Sequence, residues 1–471
     1  MGQVNEENIM GTGKVPAVLL KMGVPIIVSM VLQAMYNIVD SMFVARMPDL
    51  PNLEHTGEYA VNALTLAFPV QMLIVAFGIG TGVGVGAMLS RLLGMKDTEG
   101  VAKTAGNGVF LGIVISAAFV IFGVFGIDVY LKSQTQDPVI FSMGRIYLRI
   151  CTCLCLGNVL WGVYEKLLQS TGKTMLSTAA QITGALTNIV FDPIMIYGLL
   201  GCPAMGIAGA AYATVLGQFV SLFLAMFFQY KINREIKSGF RYLKPDRHII
   251  SGIYSIGFSA IVMQALMSFM TYGVNIIFVR VSVNAVTAYG IFYKIQQFIY
   301  FAGFGIRDAI TPLVSYNYGR SNKERIKEGE KYGLIYTIVI MLAGLAAINI
   351  FAYPLSGIFG LSSETQELCV RAMHIISVGF VFAGVNIAVQ GIFQALEAGT
   401  GSLIISVLRL LAVPLPLAFL LSLSADAPTI IWWALPAGEI VAAVVAVIML
   451  RRVNRKIGIA GRIKYSFTKR L

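Results

Sequence analysis

The sequence predicts an all-α integral membrane protein with twelve spanning helices in two repeated halves of six. Three observations carry that expectation. Of 471 residues, 57% are hydrophobic and only 12% charged, with a mean hydropathy of +0.77, which is more apolar surface than a water-soluble fold needs. The basic residues crowd into alternate breaks between apolar runs, and one half of the chain repeats the other. A net charge of +12 suggests nucleic acid when it forms a patch. Spread over alternate breaks it is instead a topology signal, and no nucleic-acid partner is expected.

A spanning helix takes about 20 apolar residues. Runs of that length fall at 16–46, 57–90, 99–127, 138–170, 175–199, 205–233, 248–281, 285–318, 324–358, 365–398, 401–424 and 427–454. The residues before the first run are polar and include Glu6 and Glu7, and the run is longer than a signal-peptide core, so no cleavage is expected. Run one holds Pro25 and, near its far end, Asp40. A charge in hydrocarbon costs at least ~2.5 kcal/mol, so this acid requires a reason. Helical spacing places Tyr36, Asn37 and Asp40 on one face. Pro25 removes one backbone hydrogen bond and permits a kink that would couple the state of Asp40 to helix shape; it equally suits a marker of the helix start.

Run two contains "GIGTGVGVG" at 78–86, which has neither the lysine nor the βαβ surroundings of a nucleotide loop. On a helix, Gly78, Gly82 and Gly86 form one small-residue stripe and Gly80 and Gly84 another, for close helix contact. Run four carries Cys151, Cys153 and Cys155, read with Cys202 and Cys369 as small buried residues and not as metal ligands. Asn158 follows. Run five places Asn188 and Asp192 on one face, run six adds Thr214, and run seven offers Met263, Met267 and Met270 with Gln264, a set suited to an adaptable apolar pocket and also ordinary in a membrane core. Later runs carry Lys294, Asp308, Arg371, Arg409 and Glu439, which pair with one another, face a cavity or snorkel.

Arg91, Lys96 and Lys103 follow run two, Lys166 and Lys173 follow run four, and denser basic groups follow runs six, eight and twelve, the last reaching Arg462, Lys464, Lys469 and Arg470. The other breaks hold little beyond Arg46, Lys132 and Arg280. The positive-inside rule then puts both termini in the cytoplasm of a cell whose inner (plasma) membrane the chain crosses.

The repeat is visible by eye. "VNALT" at 61–65 recurs as "VNAVT" at 283–287, and "GVPIIV" at 23–28 matches "GFSAIV" at 257–262; the latter displacement carries Arg46 onto Arg280. "KINREI" at 231–236 matches "RVNRKI" at 452–457, which superposes Pro193 on Pro414 and Gly217 on Gly438. Residues 1–236 and 237–471 are therefore expected to form two lobes. With six helices each, both lobes start on the same side, a parallel repeat of the kind found in secondary transporters with a site near the midplane. A channel or scaffold is the plainer alternative. The histidines, His55, His248 and His374, form no hydrolase or metalloprotease motif, so an enzyme is not expected.

The repeat also serves as a control, because Asp40 falls on Val274, Asp192 on Val413, Asn188 on Arg409 and Thr214 on Leu435. This polar set belongs to the first half alone. Two carboxylates facing one desolvated space cannot both ionise cheaply; they share a proton or hold a cation, and either is an ion-coupling device.

The motifs "MYNIVDSMFVARM" in helix 1, "TNIVFDPIMIYG" in helix 5, "GIAGAAYATV" in helix 6 and "PLVSYNYGR" after helix 8 together resemble the multidrug and toxic compound extrusion (MATE) family along the whole chain. The resemblance implies two pseudo-symmetric six-helix bundles around a central cavity, and uptake of H+ or Na+ driving export of lipophilic, often cationic compounds. It places an ion site on Asp40, Asn188, Asp192 and Thr214, with Asn158 and Tyr36 nearby. One branch of the family uses acids on helices 7 and 10 for Na+; this chain has Gln264 and no acid in the middle of helix 7, which favours coupling in the first lobe. Tyr36, Asn37, Asn158, Gln264 and Met267 are the expected cavity residues. Small lipophilic molecules and membrane lipid are the expected partners of a monomer without cofactor, H+ or Na+ being the coupling ion. A lipid-linked oligosaccharide flippase is the rival within the superfamily, disfavoured by sparse basic residues.

Overall fold

Long apolar runs have one low-energy solution in hydrocarbon, because only a helix satisfies every backbone group within its own segment. The computed structural model describes residues 8–49, 55–237, 239–359 and 361–459, without the side chains of Asn37, Phe240, Val283 and Ile459. Glu6, Glu7 and the last four basic residues of the tail lie outside the described residues.

Among the described residues, nine helices are long and apolar enough to cross a membrane, and two further spans are bent helix pairs. Spans 1 to 3 are Val15–Ala45, Thr56–Gly94 and Thr98–Phe125. Span 4 is the pair Pro138–Cys153 and Leu156–Ser170, bent by 44°; spans 5 to 7 are Thr174–Tyr197, Ile207–Lys231 and Arg247–Val279. Span 8, Val283–Gly319, is as long as its neighbours but carries Lys294, Arg307 and Asp308. Span 9 is Lys323–Gly357, span 10 the pair Ser363–Ser377 and Phe380–Ala395 bent by 52°, and spans 11 and 12 are Gly399–Ser422 and Ala427–Gly458. These twelve follow the predicted runs closely. Two details are new: spans 4 and 10 are broken, and a short helix, Ile127–Gln134, precedes span 4. Asp128 of that helix pairs with Arg145 at 2.8 Å, fastening it to the start of span 4.

Pro25 lies well inside span 1, ten residues from its start, so it does not mark the helix start. The glycine stripes of span 2 face two different neighbours. A Cβ on Gly80 would strike Ile261 and one on Gly84 the Ile253 carbonyl, both of span 7, whereas Gly82 faces Gly162 and Gly78 faces Val159, both of span 4. One stripe therefore joins the halves of the molecule and the other holds the first bundle together.

The halves meet on the side that carries the N-terminal segment and the end of span 12, where Lys323 donates to the Gly458 carbonyl at 3.4 Å. Met10, Leu19, Met22 and Ile26 pack there against Ile306, Ile310 and Leu313 of span 8. Between spanning helices such side chains hold through close van der Waals packing, because lipid is as apolar as they are. The seal is thus mainly hydrophobic and lies on one side of the membrane.

Candidate functional site

Spans 1, 2, 4, 5 and 6 enclose a cavity of about 550 Å³. Helical spacing brings Gln33, Tyr36 and Asp40 of span 1 to its wall, opposite Asn188 of span 5 and Thr214 of span 6, with Asn158 from the second half of span 4. Asp40 is 9% exposed and Asp192 is completely buried behind it. Their carboxyl groups are close enough to interact directly. Asn188 Nδ2 donates to Asp192 Oδ1 at 3.1 Å. Pro193, next along, has no N–H to give to the preceding turn, which loosens the helix where the acid sits.

Asp40 Oδ1, Asp192 Oδ2 and Asn188 Oδ1 are all buried and have no hydrogen-bond partner among the described residues. Buried oxygens of this kind are rare and need an explanation. Three acceptors without a donor are a natural seat for a proton or for a monovalent cation bound through oxygen. The end of span 1 that bears Asp40 is held to span 5 by Tyr197, whose hydroxyl donates to the Phe43 carbonyl at 2.7 Å.

The structure therefore brings Tyr36, Asp40, Asn158, Asn188, Asp192 and Thr214 together. The Asn37 side chain lies outside the described residues. Gln264 and Met267 are not in the cavity wall. Span 7 turns its small residues, Gly257 and Ala260 among them, towards span 2, which leaves Met267 to pack on the core of the second bundle.

Two charges line the cavity that the sequence reasoning did not assign to it, Glu165 from span 4 and Lys294 from span 8. Lys166, read from sequence as a residue of a basic break, is 6% exposed. Its Nζ meets Asp308 Oδ2 of span 8 at 2.6 Å and Gln169 Oε1 at 2.8 Å. Gln169 in turn donates to Glu165 at 2.9 Å, and Arg307 Nε donates to Asp308 Oδ1 at 2.9 Å. A continuous chain of polar contacts thus runs from the cavity wall to the second bundle. Both Glu165 and Lys166 lie inside the fourth apolar run, and a Glu-Lys pair inside a spanning run was the available signal. The awkward charges of the second bundle also find partners: Arg409 NH2 lies 2.7 Å from Glu439 Oε1, and Arg371 NH1 donates to Thr429 at 3.0 Å.

A polytopic helical protein whose spans surround a mainly apolar cavity with a few charged side chains at its wall has the form of a membrane transporter. The MatE family profile matches residues 25–194 and 259–420, once in each half. The chain belongs to the MatE family, and it is a multi-pass membrane transporter. Similar curated proteins include the multidrug export protein MepA of Staphylococcus aureus strain MRSA252, 22% identical over 92% of this chain and 93% of that one. MepA of Staphylococcus saprophyticus is 23% identical with the same coverage. Among solved structures, a multidrug resistance MATE family transporter of the MOP superfamily in an outward-facing conformation superposes with a TM-score of 0.89 at 24% identity, covering 97% of this chain and 100% of that one. A MOP superfamily transporter from Pyrococcus furiosus gives 0.88 at 24% identity, with the same coverage of both chains. These likenesses establish the fold.

Proposed function

We propose that this protein is a secondary active antiporter of the plasma membrane that exports amphipathic, cationic drugs or metabolites in exchange for H+, with Na+ as the alternative coupling ion. The observation that carries the reading is the contact between the Asp40 and Asp192 carboxyls at the wall of the cavity. Two acids in a desolvated space discharge their repulsion by taking up a proton or a cation. Asn188 orients Asp192, and Thr214 adds a hydroxyl to the same wall. Ion binding favours one arrangement of the bundles and cargo binding the other, so each promotes release of its rival.

Support comes also from the relatives, whose names describe multidrug export, and from the charges of the wall, where Asp40 and Glu165, with Asp192 behind, outnumber Lys294. With the basic loops and both termini in the cytoplasm, the sealed side is the cytoplasmic one and the cavity faces outward. The transporter works as a monomer and needs no cofactor.

The test is dye efflux from energised vesicles. Wild-type protein moves a lipophilic cationic dye, and collapse of the H+ and Na+ gradients stops it. Asp40→Asn, expressed at the wild-type level, reduces efflux to that of empty vesicles. Gradient-independent efflux, or normal pumping by Asp40→Asn, sinks the reading.

A further inference from the structure

The displacement that superposes Gly217 on Gly438 carries Asn188 onto Arg409 and Gln218 onto Glu439. Packing supports this equivalence independently of sequence. A Cβ on Gly217 would touch the Asn188 Cβ at 3.2 Å, and one on Gly438 would touch the Arg409 carbonyl at 3.1 Å. The two glycines therefore bring the same pair of spans together at the same level in each bundle. Asn158 and its near counterpart Asn386 also follow the breaks of spans 4 and 10.

At this level the first bundle shows buried oxygens without donors, whereas the second shows a completed ion pair. Arg409 Nε and NH2 donate to Glu439 Oε1 at 3.1 and 2.7 Å, and Asn386 Nδ2 donates to Glu439 Oε2 at 2.7 Å. Arg409 is 5% exposed, and its guanidinium carbon lies 5.9 Å from the centre of the Tyr300 ring, close enough for a cation–π contact.

We infer that the second bundle contains the pseudo-symmetric counterpart of the ion site, occupied permanently by the Arg409 guanidinium in place of a mobile monovalent cation. The inference rests on the reading of Asp40 and Asp192 as the coupling site. Its consequence is that only the first bundle exchanges ions. Asn386, which holds Glu439, keeps its Oδ1 buried without a partner among the described residues, a further oxygen ligand for a free cation.

The experiment measures equilibrium binding of radioactive sodium to purified full-length protein in an Asp40→Asn background, which silences the first bundle. Adding Arg409→Met is expected to create binding of one Na+ per molecule, and adding Glu439→Gln to that variant to remove it. A folded, monodisperse Asp40→Asn/Arg409→Met protein that binds no Na+ overturns the inference. Removing one partner of a buried pair can itself prevent folding, so the reciprocal variant is made in the otherwise native chain. Asn188→Arg is expected to fill the first site in the same way, abolishing gradient-driven dye efflux and any ion dependence of thermal stability. Retention of either by Asn188→Arg also overturns it. Normal pumping by Asp40→Asn alone would instead remove the functional reading on which the inference rests, so the two failures are distinguishable.

Discussion

At the scale of single residues, Asp192→Asn changes charge and leaves shape alone. Its amide can donate towards Asp40, replacing a conflict between two acids by a hydrogen bond contributing about 1 kcal/mol. Scanning fluorimetry of purified protein should therefore find a thermal midpoint above that of wild type, and one that no longer responds to Na+ or pH. A lower midpoint with the ion response intact would contradict the assigned site. Asp40, Asn188 and Asp192 were legible in the sequence because helical spacing and the repeat comparison both use local information. Glu165 and Lys166 were not. A lysine near the end of an apolar run looks solvated until its partner is known, and Asp308 lies 142 residues further along the chain. Met267 packs against the core of the second bundle, and a methionine on a spanning helix has the same pattern whether it faces a cavity or a core.

At the scale of helices, the two stripes of span 2 make separable predictions. Gly82 touches the Gly162 backbone within its own bundle, so Gly82→Val should lower the thermal midpoint, with an overpacking cost of roughly 1–3 kcal/mol. Gly84 touches the Ile253 backbone across the junction of the halves. Gly84→Val should lower the midpoint as well and, unlike Gly82→Val, open the seal, read as reduced labelling of a cavity cysteine, Thr65→Cys in a cysteine-free background, by an impermeant reagent added outside. Equal labelling of the two variants would refute the division of the stripes. The twelve spans could be placed from hydropathy alone, but their breaks could not. Span 4 turns at Leu154 and span 10 at Val378, where no proline interrupts the helix. The bend recurs at similar places in both bundles, so it belongs to the repeat, although no proline marks it in the sequence.

At the scale of the whole molecule, the hydrophobic seal is reinforced by a few polar contacts between the halves. Arg91 pairs with Glu397, Ser315 donates to the Ala87 carbonyl at 2.6 Å, and Arg325 donates to the Met10 and Gly13 carbonyls at 2.9 and 2.7 Å. Among the described residues, the Lys166–Asp308 pair is the most buried ion pair between the halves, its side chains 8% and 6% exposed. Breaking a buried pair by removing one partner typically costs 3–5 kcal/mol. Asp308→Asn should accordingly shift the molecule away from the state sealed on the terminal side, with less outside labelling of the same cavity cysteine. Lys166→Met, which leaves Asp308 paired with Arg307, should keep the fold and weaken the seal. Unchanged labelling in both variants would mean that the apolar contacts suffice.

The chamber itself sets a ceiling on what can pass. About 550 Å³ lies in the range of pockets that enclose one drug-sized molecule; a sugar chain on a polyprenyl anchor would have to leave most of its bulk outside. Compounds graded in girth should therefore show an abrupt cut-off, with turnover collapsing once a rigid cation outgrows the room, however greasy it is.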